Sequence, residues 1–129
     1  QGMAYATSRA SQQNLGRRLE TAVYMEFMRR TANGRMETVT SYSAPTQRRE
    51  KVDFLVGDAL IAEPYELYQV TVDMTAEKTR KREVSSLDVA MGKTGVARGF
   101  VITLREETSI TSEHGTISVM PAWKWSLLR

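Results

Sequence analysis

Lys51-Val52-Asp53-Phe54-Leu55-Val56 and Leu67-Tyr68-Gln69-Val70-Thr71 alternate apolar and polar side chains with the period of two that sends successive residues to opposite faces of an extended chain. The alternation predicts strands over residues 51–56 and 65–72. On the first, Val52, Phe54 and Val56 share one face, and Lys51, Asp53 and Leu55 the other. On the second, Tyr68, Val70 and Val72 oppose Leu67, Gln69 and Thr71. The polar faces converge on one spot, which makes Asp53, Gln69 and Thr71 candidate site residues.

Working outward, a strand over residues 36–42 precedes this pair, with loops carrying Pro45 and Glu63-Pro64 between strands. Such short connections favour an antiparallel meander. Upstream, Leu15, Leu19, Ala22, Val23 and Phe27 recur at helical spacing behind Asn14, an amino-cap residue type, and the helix is expected to end near Asn33-Gly34. Glu20 lies at the edge of that stripe. Glu26 lies nearer its centre, where its stem packs if its carboxylate finds an arginine. The preceding residues are small and polar without an apolar period, and Gln1-Gly2-Met3 resembles a tag-cleavage remnant. Residues 1–13 are therefore expected to be remnant and linker, and residues 14–129 one folded domain.

Downstream, Thr75 is the expected cap of a second helix, residues 76–91, with Val84, Leu87 and Met91 as its narrow stripe and Gly92 as its stop. A buried-looking strand over residues 99–104 follows. After the turn at Ser112-Glu113-His114-Gly115, residues 116–120 pair back as a hairpin. Pro121 to Leu128 close the chain as a short helical or irregular flap whose two tryptophans are expected to seal the core edge. The crossover through the second helix predicts that the strand at Gly99 runs parallel to that at Tyr68. Gly92-Lys93-Thr94 fails as a phosphate loop: Leu87 stands where another glycine is required, and a helix precedes it where a strand is required. His114 reads as an exposed turn residue without partners.

The chain has 129 residues and a mass of 14.6 kDa, with 41% hydrophobic residues, enough for one core. No cysteine is present and His114 is the single histidine, so disulfides and thiolate or histidine-rich zinc sites are excluded. No stretch reaches the roughly 20 apolar residues of a membrane span, and the amino end has no apolar signal core, so no membrane partner and a cytoplasmic location are expected. The net charge of +3 is uneven: residues 1–51 hold nine Lys/Arg against four Glu. Arg17-Arg18, Arg29-Arg30 and Arg48-Arg49 are doublets suited to phosphate contact, each contact adding salt-dependent affinity. Solvated surface is the plainer reading of the same residues.

The order helix, three strands, helix, strand, together with Glu20-Thr21-Ala22-Val23-Tyr24-Met25-Glu26-Phe27-Met28-Arg29-Arg30, Lys51-Val52-Asp53-Phe54-Leu55-Val56, Tyr68-Gln69-Val70-Thr71-Val72-Asp73-Met74 and Met120-Pro121-Ala122-Trp123-Lys124-Trp125, resembles a carboxy-terminal domain of uncharacterised function carried by bacterial and archaeal AAA-type ATPases. That domain is similar to the PD-(D/E)XK nuclease superfamily. The resemblance runs from about Leu15 to Leu128. It implies an α/β restriction-endonuclease-like fold, a mixed sheet flanked by helices with an added carboxy-terminal strand and short helix, and an attached amino-terminal ATPase module as partner. In active members a strand aspartate and a following acidic residue hold Mg²⁺, while a lysine orients the attacking water and stabilises charge on the phosphate. By position these roles fall on Asp53, Gln69 and Thr71, with Glu20 as the helical glutamate.

An amide contributes no anionic charge and a hydroxyl no cation. Loss of an acid/base participant typically costs about 10²- to 10⁴-fold in rate. A weak Mg²⁺ site at Asp53 is the most that the resemblance implies, and Lys51, two residues before Asp53, is a candidate substitute for the missing lysine. Three functions stand at this point. The first is a catalytically inactive module that engages nucleic acid through Arg17, Arg18, Arg48 and Arg49 for the attached ATPase. The second is a protein-interaction or oligomerisation module, and the third a residual metal-dependent DNA nuclease.

Overall fold

The structure, a computed structural model, describes residues 2–32, 37–58 and 63–128. Among them lie α1 (Gly2–Ala32), β1 (Glu37–Ser43), β2 (Lys51–Asp58), β3 (Glu63–Val70), α2 (Glu77–Thr94), β4 (Arg98–Thr103), β5 (Thr108–Ser112), β6 (Gly115–Pro121) and α3 (Ala122–Leu127). The strands form one mixed sheet in the order β1-β2-β3-β4-β6-β5. β1, β2 and β3 are an antiparallel meander, and β4 lies parallel to β3 after α2 crosses over, as the connections predicted. β6 is parallel to β4 and forms a hairpin with β5, a strand that sequence reasoning left unassigned.

Helices cover both faces. Beneath α2, Leu87, Ala90 and Met91 pack on Val52, Leu67, Val101, Ile117 and Val119. On the opposite face Val23 and Phe27 of α1 and Trp125 of α3 meet Phe54, Val56, Tyr68, Phe100 and Ile102. The latter cluster is held by aromatic geometry: Phe27 is edge-on to Tyr68 at 4.9 Å and to Trp125 at 5.0 Å, and Tyr68 stacks on Phe100 at 4.7 Å. Such pairs add about 0.5–1.5 kcal/mol each beyond burial. No described helix is long and apolar enough to cross a membrane.

Several expectations change. Val52 does not share a face with Phe54 and Val56: it packs under α2 with Leu55, while Phe54 and Val56 face α1. The cause is a bulge. Thr40 pairs with Leu55 but Tyr42 with Val52, so β2 spends an extra residue at Asp53-Phe54 and its facing reverses there. α1 starts at Gly2 rather than near Asn14. The residues expected to be a linker contain no Pro and several good helix formers, and a polar helix carries no apolar period to read. The expected helix end at Asn33-Gly34 and the strand start at Met36 lie outside the described residues.

Glu63 and Pro64 belong to β3 rather than a loop, with Pro64 opposite Gly57 beside a second irregularity, where a missing N–H is tolerated. The amino cap of α2 is Ala76, not Thr75, because both the N–H and the hydroxyl of Thr75 donate to Asp73 Oδ1. Gly92 does not stop α2. The helix continues to Thr94, and Gly95, left-handed at φ 78°, donates its N–H to the Met91 carbonyl. Trp125 seals the core edge, but Trp123 is 63% exposed. Glu26 finds two arginines, Arg29 and Arg30. Arg30, only 8% exposed, also donates to the Trp125 carbonyl at 3.0 Å and lies 4.3 Å from that ring's centre.

Candidate functional site

The β2–β3 ladder registers Phe54 against Tyr68 and ends there, so the amino end of β2 and the carboxyl end of β3 diverge as a fork. Two side chains bridge it. Gln69, 4% exposed, accepts the Asp53 backbone N–H at 2.9 Å through Oε1 and donates Nε2 to the Lys51 carbonyl at 2.9 Å. Asp53 Oδ2 in return accepts the Val70 N–H at 2.8 Å. These bonds replace those that a continuous ladder would have made, and a buried backbone group left without them would cost about 1–3 kcal/mol. The bulge at Asp53-Phe54 is what turns the Asp53 carboxylate into the fork.

Around the fork lies a cleft of about 690 Å³. Its floor holds the half-buried carboxylates of Asp53 from the fork and Glu83 from α2 beside the buried, neutral amide of Gln69, while Glu20 of α1 lines it as an exposed carboxylate. Burial lifts the Asp53 carboxyl from 3.8 to about 6, against the lowering by the Val70 N–H, and the neighbouring Glu20 and Glu83 charges lift it further. Glu83 is itself raised by burial, with Arg82 at 3.4 Å opposing. The exposed rim is mainly basic, with Arg48, Arg49 and Lys51 around Glu50 on the β1–β2 side and Lys81 and Arg82 on α2.

The rim arginines are presented by a tied loop. The Ala44 N–H donates to the Glu50 carbonyl at 2.8 Å, and the Thr46 hydroxyl donates to the Glu50 carboxylate, which is held below the usual range mainly by that bond. The Arg49 N–H reaches the Thr46 carbonyl and hydroxyl, both at 3.1 Å. Arg49 is the one non-glycine residue at positive φ, 51°, among those described.

Of the residues that the sequence singled out, Glu20, Lys51, Asp53 and Gln69 line this cleft together with Arg48 and Arg49. Thr71 does not. It lines an adjoining hollow with Arg17 and Glu20, while its N–H goes to the Ile102 carbonyl and its hydroxyl to the Asp73 carbonyl. Arg18 is exposed and lines neither hollow. Sequence reasoning missed Glu83, Lys81 and Arg82. Glu83 had a signal, since it stands one turn before the buried Leu87, where a carboxylate on an apolar stripe requires a reason.

His114 has partners after all: its N–H donates to Asp88 Oδ1 at 2.9 Å, and its Nδ1 lies 3.1 Å from Asp88 Oδ2. Its ring rests on Gly92, where a Cβ would come within 2.7 Å of it, so that glycine serves packing within the helix. Both contacts join residues far apart in sequence, beyond the reach of a turn motif.

Mg²⁺ requires several oxygen ligands in near-octahedral array. The residues here do not fit it: both polar atoms of Gln69 are spent on backbone, and one Asp53 oxygen holds Val70. No three carboxylate or imidazole groups among the described residues converge as a metal-binding set. No family model, curated protein or solved structure matches the chain.

Proposed function

We propose that this chain is a nuclease-like module of restriction-endonuclease-like descent that engages nucleic-acid backbone without cutting it, and that it serves an attached AAA-type ATPase. The observation that carries the reading is the cleft itself, where Arg48, Arg49, Lys51, Lys81 and Arg82 rim a fork whose polar side chains are committed to holding two strands together. The connectivity supports the ancestry: α1, the three-stranded meander, α2 and a parallel β4. A cationic rim contacts phosphates, which position a protein without reading bases. The acidic floor keeps the phosphates at the rim, and Thr71, turned to the neighbouring hollow, brings no cation to them.

Titration of labelled duplex and branched DNA at two salt concentrations tests the reading. Binding is expected to weaken with salt with a slope of about 0.9 per phosphate contact. Replacing Arg48, Arg49 and Arg82 together by Ala is expected to flatten that slope, whereas Arg18→Ala leaves it unchanged. Wild-type protein that fails to bind at low salt, or cleavage that requires Asp53, overturns the reading.

A further inference from the structure

β5 is the outer strand of the sheet, and its sequence, Thr108-Ser109-Ile110-Thr111-Ser112, contains neither charge nor proline. Its ladder with β6 runs in unbroken register, so no bulge twists the edge away. Natural sheets usually blunt an exposed edge by one of these devices. The free backbone groups can be assigned. Thr116, which pairs with Thr111, donates its N–H to the Ala97 carbonyl at 3.1 Å, so the Thr111–Thr116 pair is not hydrogen-bonded. Antiparallel ladders alternate. Ser109 and Thr111 therefore direct N–H and C=O groups outward from the sheet.

We propose that this edge is a self-association surface on which a second copy of the chain lays its own β5 antiparallel, joining two six-stranded sheets into one. A two-fold axis at Ile110 sets Ser109 against Thr111 of the second copy and the reverse, so the outward groups of one edge meet those of the other. Beside the edge, a groove of about 630 Å³ between β5 and α2 has Val84 and Ile110 in its lining, and the two Ile110 side chains meet at the axis.

Charge selects the same arrangement. Arg80 lies at the Thr108 end of β5, whereas Asp88 and Glu113 lie at the Ser112 end. Antiparallel pairing brings Arg80 of one copy toward Asp88 and Glu113 of the other; of the two carboxylates beside Arg80, Glu106 is engaged by the Met74 N–H. A meeting of Glu107 with Glu113 is offset by Lys124, which is ion-paired with Glu107. None of this rests on the nucleic-acid reading.

Sedimentation equilibrium over a concentration series tests it. The wild type is expected to approach twice the 14.6 kDa chain mass. Thr111→Pro removes an outward N–H without touching the β6 ladder, and prolines of this kind are tolerated on sheet edges; it is expected to be monomeric. Arg80→Glu is expected to weaken the dimer, and Glu113→Arg added to it to restore the dimer. If circular dichroism shows Thr111→Pro unfolded, the charge reversal and its rescue decide alone. A wild type monomeric throughout, or a dimer indifferent to the variants, overturns the proposal.

Discussion

Asp53 pays for its place in the fork with a carboxyl lifted from 3.8 to about 6 by burial and by the nearby Glu20 and Glu83. Between those two values the folded chain holds a proton that the unfolded chain has lost, so stability falls as pH rises through the window and stays low above it. Asp53→Asn keeps an oxygen for the Val70 N–H and removes the charge. At roughly 1.4 kcal/mol per pKa unit, the variant is expected to be more stable than wild type by on the order of 3 kcal/mol above the window. The two are expected to be alike below 3.8. Denaturant melts across pH check this, and equal stability at neutral pH would remove the buried-charge picture. Period two picked out Asp53 and Gln69 as candidates in the sequence, but the bulge, not the alternation, brings the Asp53 carboxylate to Gln69. The alternation could not reveal that both Gln69 atoms are taken by β2 backbone, because that depends on where the ladder opens.

At the scale of elements, the loop over residues 44–50 couples backbone strain to the rim. A left-handed non-glycine residue costs about 1–2 kcal/mol, and Arg49 sits there with its N–H tied to Thr46. Arg49→Gly relieves the strain but adds unfolded-chain entropy, so stability is expected to hold or rise by at most ~1 kcal/mol while DNA affinity falls. Arg49→Ala loses the charge and keeps the strain. Thermal melts alongside binding titrations separate the two; a Gly variant less stable than the Ala variant would contradict the strained-loop assignment. The meander and the parallel crossover were legible from connection lengths. The β2 bulge was not, because an alternating sequence reads the same with or without an extra residue. The start of α1 was hidden by its lack of an apolar face, and the end of α2 by a glycine placed for the His114 ring.

On the scale of the whole molecule, the fork opens at one end of the sheet between helices on opposite faces, so α1 supplies Glu20 while α2 supplies Lys81, Arg82 and Glu83. Residues 48–51, 69 and 81–83 come together only when the meander and the crossover are both formed. Sequence alone could name the strand residues of the site, but the contribution of α2 depends on the packing of Leu87 and Met91 against the sheet. The most direct measurement is amide and side-chain amide chemical-shift mapping of the labelled chain as a short DNA duplex is added at low salt. Shifts are expected to concentrate on residues 48–53, 69–70 and 81–86, the Gln69 side chain included, and to vanish when salt is raised. Shifts absent from the cleft, or confined to the β5 edge, would contradict the proposal that the fork binds nucleic acid.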